Sequence, residues 1–357
     1  MVALIIKKFL YGFSILFGVL TIVFFLFKIL PADPARMMLD KREDAEQLEL
    51  INKKYGFDKP VYIQYLSYVN DISLISIYSL NKNSFFSVYN KEINFFKIFS
   101  KNSYILVAKL PDFGKSFLKQ EQSVVSIIIS TFKNTIVLAL SSITIAIFLG
   151  LIMGVVSATN KDNIIDKSVL FFSSIGMSLP SFFSAILIAW LFGFVLHQYT
   201  NLQMTGSLFE IDDYGMGYHL NIKNLILPSI TLGIRPLAVI IQLSRNSLLD
   251  VLNMDYIRTA KAKGVKYSTV LFRHALRNSL NPVVTAVSGW FASLLAGAVF
   301  VEYVFGWNGL GKEIVNALNT MDLPVIMGSV LFIATVFIII NLLVDLIYTC
   351  LDPRIKK

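Results

Sequence analysis

Long apolar runs dominate the hydrophobic pattern of this chain, and short amphipathic periods are few. Six stretches, at 9–30, 134–157, 168–196, 225–249, 282–304 and 325–350, stay largely apolar for more than twenty residues. Roughly 20 such residues in a helix cross a bilayer core about 30 Å thick. In lipid a helix satisfies its own backbone, whereas an open strand edge does not. The pattern therefore predicts an all-α integral membrane protein with six transmembrane helices. Lys7 and Lys8 precede the first run, as in a signal peptide, but that run continues from Phe9 to Phe27 with no A-x-A site after it. It is expected to be a retained helix.

The polar stretches between the runs set the organisation. Residues 1–30 form an N-terminal helix, 31–125 a long first external segment, 126–351 a five-helix core, and 352–357 a tail. Within the external segment, Ala45, Leu48 and Ile51 recur at helical spacing between Asp40 and Tyr55, which predicts a short surface helix. From Ile72 to Leu110 the chain is rich in Ser, Asn, Phe, Ile and Tyr, and no element is assigned to it. Its aromatics, Phe85, Phe86, Phe95, Phe96 and Phe99, are too many for an ordinary disordered segment. No internal repeat is visible.

Charge adds orientation. With both termini inside, the inner segments carry 14 Lys and Arg against 5 Asp, while the short outer loops 197–224 and 305–324 hold only Lys223 and Lys312. That is the positive-inside bias, and it predicts both termini in the cytoplasm. The formal charge of +9 is then a matter of topology, and no nucleic-acid partner is needed to explain it. Composition agrees: 55% of residues are hydrophobic and 15% charged, against about 25% charged in soluble domains. The single Cys350 excludes a disulfide framework, and His197, His219 and His274 offer no ligand spacing, so no metal site is expected.

The inner loop 250–281 carries the strongest local signal, Asp255-Tyr256-Ile257-Arg258-Thr259-Ala260-Lys261-Ala262-Lys263-Gly264-Val265. Asp255 can cap a helix start, and Gly264 can end one by taking positive φ. Ile257, Ala260 and Gly264 then form a narrow face of small residues suited to another protein's groove. The alternative is an interfacial helix whose lysines only enforce topology.

This loop resembles the cytoplasmic coupling loop of ABC-importer permeases, in the variant of oligopeptide and dipeptide permeases. Leu30-Pro31-Ala32-Asp33-Pro34 resembles that family's P-G-D-P-like turn. Tyr55-Gly56-Phe57-Asp58-Lys59-Pro60 with Gln64-Tyr65-Leu66 is similar to L-G-L-D-x-P…Q-Y, and Asp112-Phe113-Gly114-Lys115-Ser116-Phe117 to D-L-G-x-S-F. Leu179-Pro180, Leu227-Pro228, His274-Ala275-Leu276-Arg277-Asn278, Val301-Glu302-Tyr303-Val304-Phe305 and Leu351-Asp352-Pro353-Arg354 extend the match over all six runs.

The resemblance implies the first of two permease subunits in the inner membrane, without an ATPase site of its own. A second permease, two ABC ATPase subunits that hold ATP and magnesium, an external substrate-binding protein and membrane lipid would be its partners. Peptides are the implied cargo, with nickel chelates or glutathione as alternatives within the branch. ATPase docking falls on Tyr256, Ile257, Thr259, Ala260, Lys261, Ala262, Gly264 and Val265. Arg258 stands where most of the wider family has glutamate, Asn308 replaces the proline of a W-P-G-L-G-like turn, and 72–110 reads as an insertion.

Two features need separate readings. Gly306-Trp307-Asn308-Gly309-Leu310-Gly311-Lys312-Glu313 is one residue short of a phosphate-binding loop, since Glu313 stands where Ser or Thr would hold magnesium. Glu302, Trp307, Gly309 and Gly311 are instead expected to shape an outer gate. Arg235 lies about ten residues into the fourth run, near mid-membrane, where an arginine is costly unless water or a partner meets it. Either it faces the substrate pathway and attracts a peptide's terminal carboxylate, or it pairs with Glu302 or Asp345 or caps carbonyls freed near Pro236. An ion-coupled secondary transporter would place carboxylates deep in the spans, and Glu302 and Asp345 both lie near helix ends.

Overall fold

The computed structural model describes residues 2–29, 35, 45–81, 84–88, 94–119, 122–211 and 217–351. The Pro31–Pro34 turn, residues 40–44 at the start of the expected surface helix, and the tail from Asp352 lie outside the described residues. Among the described residues four helices are long and apolar enough to cross a membrane, and two bent pairs bring the number up to six if each pair is one span. Helix α1 (Val2–Ile29) holds the first run. Two helices of the segment 31–125 follow, α2 (Ala45–Tyr55) and α3 (Val61–Ile72). The second run is α4 (Val124–Thr159), longer than its apolar core.

The third run is broken into α5 (Ile164–Ser178) and α6 (Ser181–Trp190), bent by 110°. The break falls at Leu179-Pro180, where proline supplies no N–H to continue the ladder. Pro228 and Pro236, by contrast, are contained in one continuous helix, α7 (Lys223–Leu252). After α8 (Asp255–Ala262) comes a second bent pair, which begins within the expected inner loop, ahead of the fifth run. Helix α9 (Tyr267–Ser279), π-helical through Val270–Leu276, meets α10 (Asn281–Gly297) at 49°, with Pro282 in the first turn of α10. Three helices complete the chain: α11 (Val299–Val304), α12 (Leu310–Asn319) and α13 (Leu323–Leu351).

The described residues fall into two compact units, 1–130 with 314–335, and 131–313 with 336–357. In the second unit, Leu138 and Ala139 of α4, Ala185 of α6, Leu232 of α7 and Leu294 of α10 share one apolar core. Small residues let α4 and α7 approach closely, as is usual between membrane helices. A Cβ on Gly150 would stand 2.6 Å from the Ile240 side chain, and one on Gly154 would stand 2.6 Å from Ser244.

The first unit contains a fold that the sequence reading left unassigned. Strands β1 (Ile75–Ser79), β2 (Phe95–Lys101) and β3 (Tyr104–Lys109) form an antiparallel sheet in the order β1-β3-β2. The chain is mostly helical, as expected, and the sheet is an addition to that architecture; a second small pair joins Phe209–Ile211 to Tyr218–Leu220. Asn102, at φ 52°, makes the β2–β3 turn, a conformation asparagine tolerates well. One sheet face buries Tyr78, Ile105 and Val107 together with Val88. Burial, with Asp71 beside it, pushes the Tyr78 phenol upward, and its hydroxyl donates to Asp71 at 3.0 Å. The other face leaves Ile75, Ile77, Phe96, Phe99 and Tyr104 exposed.

The same unit explains two of the quoted motifs. Gln64 donates to the carbonyls of Lys59 (2.7 Å) and Phe57 (3.2 Å), closing the Tyr55–Pro60 turn, where Gly56 takes φ 70°. Phe117 packs edge-on against Tyr55 (5.1 Å) and Phe57 (6.1 Å). Ser116 donates to the Asp322 carboxylate, which also takes the Phe117 N–H at 3.2 Å.

Candidate functional site

Helix α8 starts at Asp255 itself, so Asp255 is not the cap. Met254 is in the cap position and offers no side-chain bond. The far end closes as read: Gly264 takes φ 74°, its N–H reaches Lys261 O (3.0 Å), and Val265 N–H reaches Ala260 O (3.2 Å). That bond pair is the Schellman closure of a helix.

Orientation departs from the sequence reading. Ile257 is 0% exposed and packs with Ala158, Leu248, Val251, Val270, Leu271 and Ala275, and Ala260 and Val265 lean on the same cluster. Ile257 and Ala260 of the small-residue face therefore turn to the chain's own core, because the ends of α4, α7 and α9 supply the apolar partner that they need, while Gly264 stays exposed. Tyr256, Arg258, Thr259, Lys261, Ala262, Lys263 and Gly264 form the free side. Tyr256 is also steadied, its hydroxyl accepting from Asn278 at 3.0 Å.

Beside that cluster lies a polar clamp that the sequence reading missed. Arg245 of α7 grips Asp166 of α5 through two bonds, Nε to Oδ1 at 2.7 Å and a terminal nitrogen to Oδ2 at 2.6 Å. Ser157 of α4 donates to the same carboxylate, and the Asp162 N–H adds a bond at 3.0 Å. Asp166 is all but buried. Only the fold brings these positions together, and in the sequence they read as topology-setting charges.

Glu302, Trp307, Gly309 and Gly311 are brought together. The Glu302 side chain is 0% exposed, and its Oε2 accepts from the N–H groups of Gly311 (2.7 Å) and Lys312 (3.2 Å). These are first-turn amides of α12 with no partner inside the helix. A Cβ on Gly309 would meet the Glu302 carboxyl carbon at 2.3 Å, and one on Gly311 would meet Val299 Cα at 2.5 Å, so only glycine fits around it. Trp307, fully buried, donates its indole N–H to Asn134 O (3.0 Å), and Leu310 N–H reaches the Thr135 hydroxyl (2.9 Å). The phosphate-loop-like string thus directs its amides at a carboxylate of its own chain.

Arg235 pairs with neither expected acid within the described residues. Glu302 is engaged by the loop amides, and the Asp345 side chain is outside the described residues. One terminal nitrogen of Arg235 donates to Leu179 O at 3.2 Å, at the α5–α6 break. No group of three or more His, Cys, Asp or Glu placed to hold a metal occurs among the described residues.

Comparison with known proteins follows the same outline. The profile of the family described as binding-protein-dependent transport system inner membrane component matches residues 146–357, and the profile of its N-terminal part matches residues 1–84. The dipeptide transport system permease protein DppB of Alkalihalophilus pseudofirmus is 30% identical over 100% of both chains. The oligopeptide transport system permease protein AppB of Bacillus subtilis is 31% identical, again over 100% of each. DppB of Haemophilus influenzae is 40% identical over 69% of this chain and 77% of its own. With a family profile covering more than half of its length and relatives matching it end to end, this chain belongs to the binding-protein-dependent transport system inner membrane components, the membrane permease subunits of ABC importers.

Proposed function

We propose that this chain is the first of two permease subunits in an ATP-driven importer that carries di- and oligopeptides inward across the cytoplasmic membrane. The observation that carries the cargo is the end-to-end similarity to permeases named for dipeptide and oligopeptide transport. As a permease component the chain is not itself an enzyme, since ATP hydrolysis in such importers resides in separate subunits. Its partners are a second permease, two ATPase subunits that bind ATP and magnesium, and an external binding protein that delivers peptide.

Within that assembly the free side of α8, from Tyr256 to Gly264, meets an ATPase subunit. Ile257, Ala260 and Val265 fix it to the permease core. This division has a physical basis, because the apolar face is already covered and the polar, cationic side is open. The Glu302–Gly311 cradle holds the outer gate segment in one shape. The charge bias of the loops supports both termini in the cytoplasm, with residues 31–125 outside and the insertion at 72–110 facing the external partners.

The test is affinity purification of the tagged chain together with peptide uptake by cells lacking it. A second permease and an ATPase subunit should come down with it, and uptake of tripeptides should be lost. A chain that purifies without an ATPase subunit, or cells with undiminished uptake, would overturn the assignment.

A further inference from the structure

The break between α5 and α6 opens a cavity of about 150 Å³, with Arg235 of α7 in its wall. Ser181 and Ser184 of α6, Thr231 of α7 and Ser293 of α10 add hydroxyls, and Trp290 adds an apolar wall. Pockets that enclose whole small ligands run to about 300–1,000 Å³. This one therefore suits an end group and excludes a complete peptide.

Three observations give the end group its charge. First, a guanidinium has five N–H donors, and Arg235 spends one on Leu179 O. It makes no ion pair among the described residues, and its side chain is exposed on the surface of this subunit. Second, α6 begins at the cavity with Pro180 as a cap that makes no side-chain bond, so the positive end of that helix is also uncompensated. Third, Arg235 lies 12 residues into the 30-residue helix α7, about 18 Å along it at ~1.5 Å per residue. A cation so far from both helix ends is costly unless water or an anion meets it. A helix start and a forked cation are donors that a carboxylate accepts from well.

We propose that Arg235 and this cavity form a transit subsite for the C-terminal carboxylate of the peptide cargo. The proposal rests on the peptide reading above. Capping of Leu179 O by one N–H is compatible with it, because that bond holds the guanidinium at the cavity wall and leaves its other donors for a ligand.

The complete importer, reconstituted with saturating binding protein, carries the test. Uptake of trialanine and of trialanine amide is compared for wild type, Arg235→Gln and Arg235→Lys, each variant being scored against wild type on the same peptide. That ratio removes the binding protein's own preference. We expect Arg235→Gln to lower trialanine uptake about tenfold, the scale of a lost charged hydrogen bond, and to leave the amide within about twofold. Arg235→Lys should keep most of the trialanine uptake, since charge survives while the fork geometry does not. Equal losses on both peptides would reduce Arg235 to a cap for the broken helix, and no loss on either would remove it from the pathway; both overturn the subsite. Failure of the wild type to carry either peptide would overturn the peptide reading and this inference with it.

Discussion

Gly311 and Gly289 show how one substitution can have opposite effects on two helices. A Cβ at Gly311 would meet Val299 Cα at 2.5 Å and the Glu302 carboxylate at 2.9 Å, whereas a Cβ at Gly289 meets nothing within 4 Å. Overpacking a filled site costs about 1–3 kcal/mol, while glycine to alanine in an open helix gains roughly 0.5–1 kcal/mol. Gly311→Ala should therefore lower the melting temperature of the purified chain, and Gly289→Ala should raise it slightly or leave it. Glu302→Ala should be at least as damaging, because two buried amides lose their acceptor at about 1–3 kcal/mol each. If Gly311→Ala proves as harmless as Gly289→Ala, the cradle is wrongly placed.

At the scale of elements, α8 has one face anchored in the core and one left open. Ile257→Ala removes a fully buried side chain and should destabilise the chain by about 2–5 kcal/mol. Ala262→Trp lies on the open side and should leave thermal stability within a degree or two. In the assembled importer, however, substrate should no longer stimulate ATP hydrolysis. Normal coupled turnover in Ala262→Trp would place the docking face elsewhere. The sequence showed that this helix exists and where it stops, since Gly264 has only one conformational use there. It could not show which protein covers Ile257, because an amphipathic face fits its own core as well as a foreign groove. The sheet was illegible for a related reason. β2 reads Phe95-Phe96-Lys97-Ile98-Phe99, and an irregularity between Lys97 and Phe99 shifts the register, so no strict alternation marks a buried face. The Asn102-Ser103 turn between two aromatic and β-branched runs was the available signal.

For the whole molecule, hydropathy found apolar helices, four of them long enough to span among the described residues, but said nothing about the Leu179-Pro180 break or its cavity. Proline marks a boundary in sequence, but the size of a bend depends on what packs against it. The three-stranded sheet is a closed excursion of the first unit. Its ends meet, with Lys109 N–H on Leu74 O at 3.0 Å and Asp112 N–H on Asp71 O at 3.0 Å. Replacing 74–109 with a short glycine linker should thus leave membrane insertion intact. Peptide uptake, or the affinity for the binding protein, should fall, because the exposed Ile75, Ile77, Phe96, Phe99 and Tyr104 form a patch of the kind that partners cover. Unchanged uptake and affinity would make the sheet dispensable.

The clamp of Asp166 by Arg245 and Ser157 also has a mechanical consequence. It joins the ends of α4, α5 and α7 beside the cluster that seats α8, and Gly150 and Gly154 keep α4 against α7 with no space for sliding. These helices then behave as a stiff lever with its joint locked. On the docking proposed above, a displacement at α8 should pass through Ile257 as rotation of the whole lever, with little of the stroke lost in bending.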